Sequence, residues 1–238
     1  SYTQITDLVI NSVTIKDCSA INGGALFFAS NDINNVDVRI KDSQFINNQA
    51  IQGEYEGGYG GAIYAYFLAN ISISDTIFTD NEAVNRGGAI YLDYGTEFYC
   101  DSCTFDSNSA GFGGGIFAED RNSQTDGTFP VISNCNFVRN TAQIGSSIYF
   151  YNGVEGTLNS NHFEENTAIQ SEKGTIAIVG LGEIKTDSGK MNTFTNNIGD
   201  NIYNESETLY EDIDDTLIFH ITQELAELNS NLQNDDNL

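Results

Sequence analysis

The chain has 238 residues, 39% of them hydrophobic, with 23 glycines, one proline and a formal net charge of −25. That length builds one large domain with its own core, and no run of about 18 apolar residues is present to cross a membrane as a helix. The acidic balance argues against nucleic acid and against anionic lipid surfaces, both of which call for a basic footprint.

Taken in chain order, the elements are copies of one unit. A short apolar alternation ends at Ile10, Ile15 opens the phrase IKDCSA, and GGALF follows at 23–27. Next come Ile40, FINNQA from Phe45 and GGAIY at 60–64, then Ile73, FTDNEA from Phe78 and GGAIY at 87–91. Cys100, FDSNSA from Phe105 and GGGIF at 113–117 make the fourth unit, and Ile132, FVRNTA from Phe137 and Ile148 the fifth. Leu158, FEENTA from Phe163 and Ile176 make the sixth, and FTNNIG from Phe194 with Ile202 is a degenerate seventh. The anchors at 15, 45, 78, 105, 137, 163 and 194 stand 30, 33, 27, 32, 26 and 31 residues apart.

Within each unit the apolar residues alternate over strand-like lengths and never reach helical length. A coil of this kind cannot bury its apolar face alone, whereas a stack of coils buries it continuously. The expected fold is all-β, a parallel β-helix of about seven coils over residues 1–204. At the parallel strand spacing of about 4.8 Å it would be a rod roughly 30–35 Å long. Each glycine pair is expected at the same corner, where φ > 0 or close approach between coils excludes a side chain. The asparagines three residues after each anchor (Asn48, Asn81, Asn108, Asn140, Asn166 and Asn197) are expected to stack as a ladder of amides.

The paired phrases resemble the GGAI and FxxN repeats of chlamydial polymorphic outer membrane proteins and the related repeats of protist surface proteins, over roughly residues 8 to 203. The resemblance implies a right-handed parallel β-helix, an extracellular or cell-surface location, and a role in adhesion or surface architecture. The chain departs from the bacterial members in showing no C-terminal autotransporter barrel. Its start at Ser1 reads as a mature product or an excised part of a longer chain.

If Ile90 points inward, Tyr91 points outward. The equivalent residues are Phe27, Tyr64, Tyr91, Phe117, Tyr149, Ala177 and Tyr203, an exposed aromatic column broken at Ala177. Two readings stand: the rings stack to stiffen the sheet, or they offer a stripe to sugar rings or to a partner chain.

The four cysteines permit a disulfide without requiring one. Cys103 and Cys135 lie two residues before their anchors, hence at the same place in adjacent coils. A bridge between them is expected in an oxidising compartment. Cys100 and Cys103 form a CxxC, a rival pair or a redox or metal half-site, and with no second CxxC zinc is not expected. Cys18 takes an asparagine's place and is expected unpaired. Asn70 and Asn204 open Asn-x-Ser sequons at expected loops or coil edges, and would accept glycans in a secreted eukaryotic protein.

No catalytic constellation emerges. The four arginines (Arg39, Arg86, Arg121 and Arg139) fall at different coil positions, His162 and His220 are isolated, and Asp214 and Asp215 lie outside the repeats. GGYGG at 57–61 lacks the Lys-Ser/Thr of a phosphate loop. No cofactor is expected. Calcium is the candidate that the dense carboxylates suggest, without a calcium-loop spacing.

The expected role is a non-catalytic extracellular structural or adhesive module, as a segment or subunit of a surface filament, contacting other surface subunits or glycans. The alternative is a carbohydrate-binding or carbohydrate-processing β-helix of pectate lyase type. Residues 205–238 read as an acidic tail in which Ile218, Ile221, Leu225, Leu228 and Leu232 form a helical stripe, with Thr216 or Asp215 as N-cap. This helix is expected to cap the last coil or dock on a neighbouring subunit, and the uncapped first coil leaves end-to-end association open.

Overall fold

The computed structural model describes residues 7–29, 37–54, 56–66, 70–93, 95–120, 128–170, 173–180 and 183–205. The expected tail helix and the division at residue 204 bear on 206–238, which lie outside the described residues. Every sheet is parallel, and every strand between the sheet ends pairs with its equivalents one coil before and one coil after. The chain is a parallel β-solenoid of six complete turns and part of a seventh.

Sheet one stacks Asp7–Asn11, Asp37–Lys41, Asn70–Ser74, Glu97–Asp101, Phe129–Ser133, Glu155–Asn159 and Glu183–Lys185. Sheet two stacks Thr14–Lys16, Gln44–Ile46, Ile77–Thr79, Thr104–Asp106, Asn136–Val138, His162–Glu164 and Thr193–Thr195. Sheet three stacks Ser19–Ala20, Gln49–Ala50, Glu82–Arg86, Ser109–Phe112, Thr141–Ile144 and Thr167–Ala168. Sheet four stacks Leu26–Ala29, Ile63–Tyr66, Ile90–Asp93, Ile116–Glu119, Ile148–Tyr151, Ile176–Val179 and Ile202–Glu205. Seven strands span six steps, about 29 Å along the axis.

The repeat fixes the register because each column carries one kind of side chain. The anchors Phe45, Phe78, Phe105, Phe137, Phe163 and Phe194 form a file of rings inside the solenoid, with centroids 4.7–5.0 Å apart and planes within 11° of parallel. Ile40, Ile73, Cys100, Ile132 and Leu158 face them from sheet one, and Ile63, Ile90, Ile116, Ile148 and Ile176 from sheet four. A slip of one residue in any coil would turn a whole set of these side chains to water.

In the first six coils, two residues make each corner between sheets one and two and between sheets two and three. The first residue of each pair is left-handed, as at Asp75 (φ 49°) and Asp80 (φ 55°). The second projects along the rod. The asparagine ladder is present as expected. Asn108 Oδ1 accepts the Asn81 backbone N–H at 3.0 Å and the Asn81 Nδ2 at 2.9 Å, while Asn108 Nδ2 donates to the Phe78 carbonyl at 3.0 Å and to Asn140 Oδ1 at 3.0 Å. The same pattern runs from Asn48 to Asn197, and Cys18 heads the column by donating its N–H to Asn48 Oδ1 at 3.2 Å. The ladder thus satisfies buried backbone groups that these corners would otherwise orphan.

The two glycines of the repeated pair do different work. Gly87 has φ +66°, a conformation costly for L side chains. Gly88 has an ordinary φ, but a Cβ there would sit 2.1 Å from the Gly114 carbonyl oxygen of the next coil. Segment length varies only beside sheet four in these coils. From sheet three to sheet four the connection is residues 51–62 in one coil and 87–89 in the next. From sheet four to sheet one it is three residues at 67–69 and nine at 120–128.

Candidate functional site

The outer face of sheet four carries the most elaborate side-chain arrangement among the described residues. Strand alternation sends Ile63, Ile90, Ile116 and Ile148 into the core, and Tyr64, Tyr91, Phe117 and Tyr149 to the other side, where they form a second apolar cluster. Tyr64 stacks on Tyr91 at 4.7 Å and Phe117 on Tyr149 at 4.9 Å.

The column points outward, but it is not exposed. Tyr91 is 0% accessible, Phe117 2%, Tyr149 7% and Tyr64 8%, and only Phe27 at the first coil is open, at 53%. Neighbouring segments cover the rings. Tyr59, from the long connection 51–62, packs on Tyr64 and Tyr91 at 6.2 and 5.3 Å, and Phe112, closing a sheet-three strand, meets Tyr149 edge-on at 5.6 Å. Period-two alternation assigns a face and says nothing of what an adjoining loop lays over it. The exposed-column expectation is therefore corrected for Tyr64, Tyr91, Phe117 and Tyr149.

A charged network closes over the rings. The Arg86 guanidinium lies 5.7 Å from the centroid of Tyr59 and 5.1 Å from that of Phe117. It donates to Glu119 Oε2 at 2.8 Å, and the Tyr91 hydroxyl donates to Glu119 Oε1 at 2.5 Å. The Tyr64 hydroxyl donates to Asp93 Oδ2 at 3.2 Å. Asp93 and Glu119 pair in register on adjacent strands, and both are sealed from solvent. Burial works to lower the Arg86 pKa, but Glu119 and the tyrosine oxygens beside it more than offset this and hold it above its ordinary value. Burial pushes the Tyr149 phenol up to about 12. Asp93 and Glu119 are buried and engaged by Tyr64, Tyr91 and Arg86, so the set ties the ring column to the strands beside it. At the C-terminal end, Lys173 sits 3.9 Å from the Tyr203 ring centroid and donates to its hydroxyl.

The other expected residues fall as follows. All four cysteines are free thiols. Cys103 and Cys135 stack in adjacent coils as expected, yet the expected bridge is not formed. Their side chains run parallel, with Cys103 Sγ directed at the Asp101 carbonyl (3.4 Å) and Cys135 Sγ at the Ser133 carbonyl (3.1 Å). Side chains that parallel keep their Cβ atoms near the coil spacing of about 4.8 Å, beyond the roughly 3.5–4.5 Å that a disulfide prefers. Hydrogen bonds from the Cys100 and Cys135 thiols pull the Cys103 thiol well below its ordinary range. Asn70 is the first residue of a sheet-one strand and Asn204 lies within a sheet-four strand. Asn70 Nδ2 donates to Asp37 Oδ1 at 2.9 Å, and Asn204 pairs in register with the core residue Ile178.

Sequence reasoning missed a second polar ladder two residues before each anchor. Ser43, Thr76, Cys103, Cys135, Asn161 and Asn192 fill it; Ser43 Oγ accepts the Val13 N–H at 3.2 Å, and Asn161 Oδ1 accepts the Cys135 N–H at 2.9 Å. The signal was legible as a polar residue at a fixed offset, but its chemical variety hid it. Also missed was the exposed aliphatic file Ile21, Ile51 and Val84, each following the alanine of its repeat.

Three spans, residues 42–66, 75–93 and 102–119, match the family model described as the Chlamydia polymorphic membrane protein repeat. Comparison with the curated proteins and with the solved structures returned no match. Each matched span begins at a corner between sheets one and two and ends with the sheet-four strand, so the motif is the sheet-two, sheet-three, glycine-corner and sheet-four part of a coil. The chain is a parallel β-solenoid, and three of its coils carry segments similar to the polymorphic membrane protein repeat.

Proposed function

We propose that this chain is a non-catalytic structural and adhesive module displayed at a cell surface. The observation that carries the reading is how the repeated residues are used. Phenylalanines, asparagines and glycines are consumed in holding coil to coil, while in the first six coils chain length changes only at the connections flanking sheet four. In a solenoid, insertions collected on one side mark the side presented to partners. The membrane-protein family of the repeats supports surface display, and the charge of −25 favours a solvated exterior. The partners in this reading are other surface proteins or glycans. A carbohydrate-processing role would need an accessible acid pair, and Asp93 and Glu119 are buried.

The test labels cells of the source organism with antibody to the folded chain, before and after permeabilisation, and probes glycan and host-cell panels with the purified chain. Label on intact cells together with saturable binding supports the proposal. Label that appears only after permeabilisation refutes surface display, and absence of saturable binding refutes adhesion.

A further inference from the structure

All four cysteines depart from the usual residue of their column, and three of them meet at one point. Cys100 takes a place held by Ile73 and Ile132 in the coils on either side. Cys103 and Cys135 take turn positions held by Ser43, Thr76, Asn161 and Asn192 elsewhere. Their sulfurs lie within 4.8 Å of one another, with Cys100 Sγ 3.7 Å from Cys135 Sγ, and all three residues are buried. The CxxC half-site is thus completed by a third sulfur from the following coil.

We propose that Cys100, Cys103 and Cys135 form a three-sulfur site for one soft cation, with Cu(I) as the chemistry that fits. A metal about 2.3 Å from three coplanar sulfurs sets them about 4.0 Å apart. The observed separations need shifts below about 1 Å to reach that figure. Thiolate ligands select Cu(I), Zn(II) or iron–sulfur centres. Structural zinc demands a fourth ligand, and among the described residues no His, Asp or Glu joins the cluster. A three-coordinate cation suits this buried cluster, where Cys100 is flanked in register by the core residues Ile73 and Ile132. The Cys103 N–H points at Cys135 Sγ at 3.4 Å, and the Thr76 N–H at Cys103 Sγ, so two ligands have a backbone donor to stabilise negative charge. On binding, each thiol releases its proton to water as its sulfur takes the metal, so affinity falls as pH falls.

The test uses the full chain, reduced and kept from oxygen. Cu(I), supplied as its acetonitrile complex, is added to the folded chain and, in parallel, is present during refolding, followed by dialysis against a competing Cu(I) chelator. The expected result is one copper per chain, with three sulfur neighbours by X-ray absorption and a thiolate-to-copper charge-transfer band. Cys135→Ser places in the fifth coil the residue that Ser43 already provides in the second, so the fold is retained. That variant loses the retained copper, as does Cys100→Val, whereas Cys18→Ser keeps it. Failure to retain copper by either route overturns the proposal. So do equal retention by Cys135→Ser, nitrogen or oxygen neighbours at the metal, and retention of Zn(II) but not of Cu(I).

Discussion

Replacing Asn108 by alanine tests the ladder where it is fully buried. Asn108 makes four side-chain hydrogen bonds, accepting from the backbone and side chain of Asn81 and donating to the Phe78 carbonyl and to Asn140 Oδ1. Two of the stranded groups keep another partner. Asn81 Nδ2 still reaches the Phe45 carbonyl, and Asn140 Oδ1 still accepts the backbone N–H of residue 108. The Asn81 N–H and the Phe78 carbonyl lose their amide partner in a place that water does not reach. A stranded buried group costs about 1–3 kcal/mol, so the substitution should cost about 2–6 kcal/mol in all. Asn197→Ala removes a comparable set at a half-buried site, where water replaces the amide, and should cost about 1 kcal/mol. Stacked repeats need not unfold in one step, so two readouts are paired: the denaturation midpoint, and hydrogen exchange at the Asn81 amide, which should accelerate selectively. If Asn108→Ala stays within about 1 kcal/mol of the parent and the Asn81 amide keeps its protection, the ladder is ornament and the argument is wrong.

Gly88→Ala forces a Cβ onto the Gly114 carbonyl, a backbone atom with no room to yield. It should cost at least about 3 kcal/mol, read as lost thermal stability, and a parent-like melting curve would contradict the close-approach account. Arg86→Met strips the guanidinium from buried Glu119 and should cost about 3 kcal/mol by denaturant titration, with part recovered in the Arg86→Met/Glu119→Gln pair. The folded Tyr149 phenol has its pKa raised to about 12, so the unfolded chain ionises first as pH rises. Stability linked to this group is fully present below about pH 10 and drains between about pH 10 and 12, worth up to about 2.7 kcal/mol. Tyr149→Phe should flatten that alkaline decline, and an unchanged slope would refute the assignment.

The solenoid itself was legible because its information is repeated. Seven anchors in one order determine coil, register and ladder together, and the rings from Phe45 to Phe194 stack as the spacing demands. What the sequence hid lies where the repeat breaks. The rings of Tyr64 and Tyr91 were assigned the correct face, yet they are covered because the connection 51–62 is longer than its equivalents and brings Tyr59 across them. Cys103 and Cys135 were assigned the correct coil positions, but the direction of their side chains depends on the corner geometry, which spacing does not encode. Arg86 and Glu119 were invisible as a pair because they are 33 residues apart and sit in columns that hold other residues elsewhere.

The unequal corners give the molecule a front and a back. Around sheets one, two and three a single added residue in the first six coils would break a ladder from both sides, so the length of chain there is held from one coil to the next. Beside sheet four the chain already tolerates connections from three residues to twelve. A partner that must grip every such rod should hold the back. A partner that must tell one rod from another can read the front, where chain length can be rewritten without disturbing the ladders behind it.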